Sequence, residues 1–271
     1  MQMTVIPDPS FGPRIVPIPR LASGGRWRVE AMRSQREPVL LWFTQGQGRI
    51  TVSGTTRGYG AHNAIFLPPR TMYGFEMLGR VFGNAVFFGH TPDVALPGAP
   101  LHLRVRDVAV QNELNAILDN TQRELSDTRP GQDRAVHHYI GLLGVWLERQ
   151  QAEASEAQGK PPRPDAARRL AERYARLLER DFSSGMNVAD FAAALNVTPT
   201  HLSRACKASC GRPAHALLQD RVLFEARKLL VETQRPIKDV ARQLGFASPA
   251  YFTRAFQAQV GKTPSAFRRG G

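Results

Sequence analysis

Residues 237–256 read IKDVARQLGFASPAYFTRAF, and residues 188–206 read VADFAAALNVTPTHLSRAC. Both stretches have the same order of parts: a short amphipathic helix, a tight turn, and a second helix with polar residues on one face. The turn of the second copy is one residue longer, and its Gly245 can take a positive φ. This order is that of a helix-turn-helix, so the chain is predicted to hold two such motifs in tandem.

The apolar positions of the two copies match, and we expect them to face inward. They are Val188, Phe191, Ala192, Leu195, Val197, Leu202 and Cys206 in the first copy, and Ile237, Val240, Ala241, Leu244, Phe246, Phe252 and Phe256 in the second. Pro199 and Pro249 stand at or next to the first position of each second helix, where proline is tolerated. Between the motifs, a helix from Pro213 to about Glu232 would span about 30 Å. This is close to the ~34 Å turn of B-DNA, so the two second helices could enter successive major grooves.

Basic charge is concentrated around the repeat. Residues 165–271 hold 18 Lys and Arg against 9 Asp and Glu, whereas residues 1–164 hold 18 against 14. A polyanion would dock on the basic region, although basic charge by itself also serves solubility.

The predicted DNA contacts are the exposed positions near the start of each second helix, because a recognition helix meets base edges there. They are Thr200, His201, Ser203, Arg204 and Lys207 in the first copy, and Ala250, Tyr251, Thr253 and Arg254 in the second. Arg204 and Arg254 match between the copies, and arginine suits a bidentate contact with guanine or a phosphate contact. The alternative for each arginine is a solvated charge or a local salt bridge. The expected partner is double-stranded promoter DNA.

The first part of the chain has a different sequence pattern. Residues 1–20 carry five prolines and are expected to form an irregular arm. Short apolar runs separated by Gly- and Pro-containing turns then predict a small antiparallel barrel or jelly roll. The runs are Trp27–Ala31, Val39–Phe43, Arg49–Val52 and Asn84–Phe88.

Two helices are predicted next, over Val110–Ser126 and Gln132–Arg149, each with an apolar stripe. The pair could close one side of the barrel or form a dimer seam. Residues 151–164 lack apolar periodicity and are expected to be a linker, and Asp165 is expected to cap a helix over Ala166–Arg180. The predicted organisation is a barrel with its arm over 1–109, a helical pair over 110–150, the linker over 151–164, and a tandem helix-turn-helix domain over 165–271.

The C-terminal motifs resemble the DNA-binding domain of AraC/XylS-type transcription regulators. The resemblance rests on the second copy together with GKTPSAFR at residues 261–268, and a weaker match to the cupin-like sensor barrel of that family rests on AIFLPPRTMYGF at residues 64–75. It implies two domains: an all-β cupin-like barrel with helices, then an all-α domain whose two motifs are joined by a long helix. It also implies a small-molecule effector, and RNA polymerase as a partner if the protein is an activator.

One departure concerns metal. The stretch resembles one that, in metal-dependent cupins, holds a glycine and then a ligand histidine. Here Arg70 and Tyr73 occupy those two positions, and His62 is an isolated histidine. A metal site needs three or four convergent ligands. We therefore expect no catalytic residue, no metal and no cofactor, and a barrel used for ligand sensing or dimerisation.

The effector is not identified by the sequence, but aromatic residues of the barrel are candidates for its pocket. The candidates are Trp27, Trp42, Arg49, Phe66, Tyr73, Phe75 and Phe87. The competing interpretation is that the aromatics are core and that Arg49 is solvated. Three functions stay open: a ligand-responsive regulator, a constitutive dimeric DNA-binding regulator, and a cupin enzyme with a DNA-binding tail.

The expected location is the cytoplasm, without membrane contact. The N-terminus lacks a signal-peptide pattern, and the longest apolar segment, Tyr139–Leu147, is too short to span a bilayer. Cys206 and Cys210, four residues apart on one predicted helix, do not form a disulfide framework. Because Cys206 occupies the position of Phe256, buried packing is favoured over a redox role.

Overall fold

A computed structural model describes residues 12–158 and 165–270, which form an N-terminal β-domain and a C-terminal helical domain. The strands described are β1 (Arg14–Pro17), β2 (Val39–Val52), β3 (Thr55–Tyr59), β4 (Asn63–Leu67), β5 (Tyr73–Phe87) and β6 (Leu101–Arg104). The helices of this domain are α1 (Ile18–Leu21), α2 (Trp27–Glu30), α3 (Val108–Ser126) and α4 (Gln132–Gln158). The C-terminal helices are α5 (Ala166–Asp181), α6 (Val188–Ala194), α7 (Pro199–Cys210), α8 (Ala214–Glu232), α9 (Ile237–Gln243), α10 (Pro249–Val260) and α11 (Pro264–Arg269). The predicted fold class, a β-domain with helices followed by an all-α domain, is confirmed.

The strands form one antiparallel sheet in the order β1-β5-β2-β4-β6, with β3 paired to β2. Alternate residues of β2 enter two different cores. Leu40 and Trp42 lie in a core with α3 and α4, whereas Leu41 and Phe43 lie in a core on the other face of the sheet. Burial on both faces explains why this strand is a continuous apolar run.

The apolar stripes of α3 and α4 are used inside the chain. Leu114, Leu118, Ile140 and Leu143 are buried in the core that covers one face of the sheet. The apolar stripes of α3 and α4 therefore close one side of the β-domain, which is the first of the two alternatives given for the helical pair.

Three local expectations were wrong. Residues 14–20 were expected to belong to an irregular arm, but they form β1, which pairs with β5, and most of α1. The run Trp27–Ala31 was predicted as a strand, but Trp27–Glu30 is one turn of helix, supported by an ion pair between Arg26 and Glu30 at 2.8 Å. Helix α4 also continues to Gln158, eight residues into the predicted linker. The Ala, Glu and Gln residues there are good helix formers and sustain the helix without an apolar stripe. The rest of that segment, 159–164, and the proline-rich arm up to residue 11 lie outside the described residues.

The C-terminal domain has two cores that share α8. Leu217, near the start of α8, packs with α5, α6 and α7. Leu229 and Leu230, near its end, pack with α9 and α10. Each motif therefore has its own core, and the predicted long helix between them is confirmed as the element that holds both.

Candidate nucleic-acid interface

The first motif consists of α6, its turn and α7. Asn187 starts α6 with a capping box shared with Asp190, which satisfies backbone N–H groups at the helix start. The turn passes through Asn196 at φ 57°. Thr198 then caps α7 by accepting from the N–H of His201, and Pro199 is the first residue of that helix, as predicted.

The second motif repeats this geometry with the longer turn that the sequence predicted. Gly245 lies at φ 76°, which confirms its expected positive φ. Ser248 caps α10 by accepting from the N–H of Tyr251, and Pro249 is the first residue of the helix. Asn196 and Gly245 each follow directly after the C-cap residue of the first helix of their motif, Leu195 and Leu244 respectively.

The predicted DNA contacts lie on one side of each second helix. In the first motif Thr200, His201, Arg204 and Lys207 are exposed and Ser203 is half-buried; in the second Ala250, Tyr251 and Arg254 are exposed and Thr253 is half-buried. The hydroxyl of Thr253 donates to the carbonyl of Pro249 at 2.9 Å, so part of its hydrogen-bonding capacity is used within the helix. The prediction that these nine residues contact DNA stays a prediction.

Arg204 and Arg254 hold matching places, five residues after Pro199 and Pro249 respectively. Within the described ranges neither guanidinium has a carboxylate within ion-pair distance. Both charges are therefore available to an external anion such as phosphate or a guanine edge.

A buried ion pair holds α8 against α5. The guanidinium of Arg221, with 4% of its side chain exposed, lies 2.7 Å from Glu179 and 3.0 Å from Glu225. These carboxylates raise the pKa of Arg221 against the effect of burial.

The length of α8 agrees with the expectation from the sequence. With its 19 residues, α8 is about 28 Å long, close to the length expected for the helix between the two motifs.

The two domains touch through the segment from α2 to Ser34, which sequence reasoning did not identify. The Oγ of Ser34 donates to Glu179 at 2.5 Å. The ring of Trp27 lies 5.8 Å from Phe224 on α8 and 6.1 Å from Phe267 on α11. Trp27, predicted as a pocket residue, is thus part of the domain boundary.

The other predicted pocket residues are placed in the β-domain, but the structure does not gather them around a cavity. Trp42, Phe66, Tyr73, Phe75 and Phe87 are buried core residues, and Arg49 is exposed on β2. A cavity of about 530 Å³ lies elsewhere, between the β-domain and α5. None of the seven predicted residues lines it.

The described residues hold no group of three or more His, Cys, Asp or Glu side chains arranged to bind a metal ion. None of the described helices combines the length and apolar composition needed to cross a membrane. The expectations of no catalytic residue and no cofactor stay predictions.

Comparison with known proteins identifies the C-terminal region. A family model described as a helix-turn-helix domain matches residues 191–270. The chain is 29% identical over 133 residues to the arabinose operon regulatory protein of Escherichia coli strain K12, covering 49% of this chain and 46% of that protein. It is 33% identical over 91 residues to YfiF, an uncharacterized HTH-type transcriptional regulator of Bacillus subtilis strain 168, covering 34% and 29%. A solved structure of ToxT from Vibrio cholerae aligns with 97% of this chain and 98% of its own, at 14% identity and a TM-score of 0.43.

The chain spans less than half the length of these two curated relatives. The family model covers most of α6 and all of α7 to α11, and so includes the helix between the motifs. Residues 165–270 therefore form a tandem helix-turn-helix domain. The similarity to the arabinose operon regulatory protein confirms the resemblance to AraC/XylS-type regulators that was drawn from the motifs.

Proposed function

We propose that this protein is a sequence-specific, DNA-binding transcription regulator of the AraC type. The observation that carries the proposal is the placement of two helix-turn-helix motifs on one rigid helix, with Arg204 and Arg254 exposed at matching positions. The curated relatives named as regulators support it. The basic charge of residues 165–271 favours a polyanionic partner.

A small molecule bound by the N-terminal domain controls DNA binding in this proposal. Such control requires the ligand to favour one arrangement of the two domains over another. The direct contacts between the domains, such as Ser34 on Glu179, supply arrangements that a ligand could stabilise or break. RNA polymerase is a further partner if the protein activates transcription, and we propose that the protein acts in the cytoplasm.

A homodimer completes the proposal, because a second copy doubles the DNA site that is read. The buried stripes of α3 and α4 are occupied within the chain, but α4 also presents Leu142 and Val145, which are 51% and 40% exposed. These two residues make α4 the proposed dimer surface. Light scattering of the full-length protein tests it: a dimer that becomes a monomer in Leu142→Glu supports this surface.

DNA binding is tested by a salt titration with the full-length protein. The assay compares a duplex taken from beside the protein's own gene with a scrambled duplex of equal length. Tighter binding to the first duplex, with affinity falling steeply as salt rises, is the expected result. Equal and weak binding to both duplexes, with and without a ligand, would remove the regulator proposal.

One result would distinguish a constitutive DNA-binding regulator from a ligand-responsive one. If no ligand alters DNA affinity while sequence-specific binding is intact, the N-terminal domain serves dimerisation alone. The enzyme alternative requires a bound metal, and stoichiometric metal in the purified protein would revive it.

A further inference from the structure

The cavity between the domains has a strong excess of positive charge. Its charged lining consists of four arginines, Arg57, Arg70, Arg168 and Arg176, and one carboxylate, Glu172. Glu172 is already bound to Arg168, at 3.0 Å. Within the residues that the structure describes, the remaining three guanidinium groups have no carboxylate at ion-pair distance. The cavity therefore brings several positive charges close to one another.

The repulsion crosses the domain boundary. Arg57 lies on β3, and Arg168 lies on the first turn of α5. Partial burial, and then the charge of Arg168, lower the pKa of Arg57. The charge of Arg57 in turn adds to burial in lowering the pKa of His102, another lining residue. A negative charge in the cavity would reverse these interactions and draw the two domains together.

Arg70 supplies an independent observation. Its backbone has a φ of 57°, in the left-handed region that favours glycine. In this conformation its N–H donates a hydrogen bond to the carbonyl of Gln35 at 2.7 Å. Strained backbone of this kind is found at ligand sites, where the strain is tolerated for the sake of the side chain. Here the side chain kept at a glycine-like position is an arginine that lines the cavity.

Much of the rest of the cavity is apolar, beside the polar residues Ser53, Thr55, Thr71 and His102. Ile50, Ile65 and Leu101 of the sheet line it, together with Pro68 and Pro69. Its volume, about 530 Å³, is within the usual range for small-molecule sites, about 300–1,000 Å³. An inorganic ion alone would leave this apolar surface uncovered.

We propose that this cavity binds a small organic anion, with a carboxylate or phosphate group and a compact apolar body, that is held by arginines of both domains. This inference rests on the proposed function, since it assigns the chemical class and the site of the effector. The anion lies between β3, the loop that holds Arg70, and α5. Its binding therefore stabilises the docked position of the domain that carries the two motifs.

Calorimetric titration of the full-length protein without DNA tests the site. The probes are phenylacetate, phenyl phosphate, the neutral phenylacetamide and inorganic phosphate. We expect at least one of the two organic anions to bind, and phenylacetamide and inorganic phosphate to bind at least about tenfold more weakly, since both the charge-assisted contacts and the apolar body are needed. Phenylacetate and phenyl phosphate distinguish a carboxylate site from a phosphate site.

Variants then locate the binding. Arg57→Gln and Arg168→Gln should each weaken binding of the organic anion by about tenfold or more. The matched controls are Arg80→Gln on β5 and Arg173→Gln on α5, two exposed arginines outside the cavity, and these should bind as the unaltered protein does. Arg70→Gly should also weaken binding of the anion. The melting temperature of this variant without ligand should equal or exceed that of the unaltered protein, because glycine removes the backbone strain. Loss of binding in a variant that is no less stable cannot be attributed to misfolding.

Four results would overturn the inference: no binding of either organic anion, equal binding of the neutral amide, preference for inorganic phosphate, or binding that is unchanged in the cavity variants. The DNA assay is read separately on the same proteins. Anion binding without specific DNA binding would remove the regulator proposal and keep the site. Specific DNA binding without anion binding would remove the anion site and keep the regulator proposal.

Discussion

The backbone N–H of Met32 in the N-terminal domain donates a hydrogen bond to Oδ2 of Asp220 on α8, at 2.8 Å. The same carboxylate oxygen accepts from Arg212 at 2.9 Å. The side chain of Met32 is buried in the core formed by α5, α6 and α7. Because α8 sets the spacing of the two motifs, this contact fixes the N-terminal domain to the element on which DNA reading would depend.

We expect Asp220→Ala to weaken the contact between the domains. It removes the acceptor of the Met32 N–H and one of the two acceptors of the Arg212 guanidinium, which also donates to the carbonyl of Ala216, at a cost of about 1–3 kcal/mol. Urea unfolding measures the loss, and hydrogen exchange at Met32 should become faster. The control is Glu113→Ala, which removes an exposed ion pair with Arg149 and should cost no more than about 1 kcal/mol. Unchanged exchange at Met32 would show that the hydrogen bond does not hold the domains together.

The motifs could be predicted from the sequence because their signals are local. The turn at Gly245, the prolines that begin α7 and α10 and the apolar spacing of α6 and α9 all lie within twenty residues of one another in each copy. The site between the domains could not be predicted in this way. Arg57 and Arg168 are more than a hundred residues apart in the chain, and only the docked fold brings them to one cavity.

The aromatic residues illustrate the same difference. Burial of Phe66 and Phe75 followed from their residue type, but the sequence offered no sign of which aromatic would lie at the boundary. Trp27 lies there because its segment is a single helical turn at the surface of the sheet, and α8 and α11 cover it. The sequence did carry one signal of this site: Arg70 stands where the metal-dependent cupin pattern that this stretch resembles has glycine.

Gly245→Ala should destabilise the C-terminal domain strongly. A Cβ at this position would lie 2.3 Å from the backbone nitrogen of Gly185 and 2.6 Å from the carbonyl oxygen of Ser183. The positive φ adds about 1–2 kcal/mol for a residue with a Cβ, and the overlap with backbone atoms adds about 1–3 kcal/mol more. Thermal unfolding measures the effect.

Asn196→Ala is the matched control in the other motif, since Asn196 has a similar φ but is exposed. It should lose only the conformational part, about 1 kcal/mol. Equal losses in the two variants would mean that the close approach of Gly245 to Gly185 does not contribute.

Stability should fall as the solution becomes alkaline, and Cys206 should account for part of the fall. Burial, and then the neighbouring Cys210, raise the pKa of the Cys206 thiol to about 12, whereas the unfolded value is about 8.5. The stabilising contribution is complete below pH 8.5, and it is lost as the pH rises because the unfolded state releases the proton first. Between pH 8 and pH 10 this amounts to about 2 kcal/mol.

Urea unfolding at the two pH values measures this dependence. Cys206→Ala is the comparison: it lowers stability at both pH values by opening a cavity, but its fall between pH 8 and pH 10 should be smaller by about 2 kcal/mol. The same pH dependence in both proteins would contradict the assignment to Cys206. Slow reaction of both cysteines with a thiol reagent in the folded state is expected as well, because the thiolate is the reactive form.

Arg254→Ala should distinguish reading of a base from binding of a phosphate. If Arg254 contacts a guanine edge, the variant weakens specific binding by about 1–3 kcal/mol and leaves binding to a scrambled duplex nearly unchanged. If it contacts phosphate, both affinities fall together and the salt dependence becomes shallower by about one unit of slope. Arg204→Ala applies the same test to α7, and the two effects should add, because the motifs have separate cores. Arg80→Ala, an exposed arginine in the β-domain, serves as the control. Loss of affinity in that variant equal to the loss in Arg254→Ala would mean that only overall charge, and not the position of the arginine on α10, governs binding.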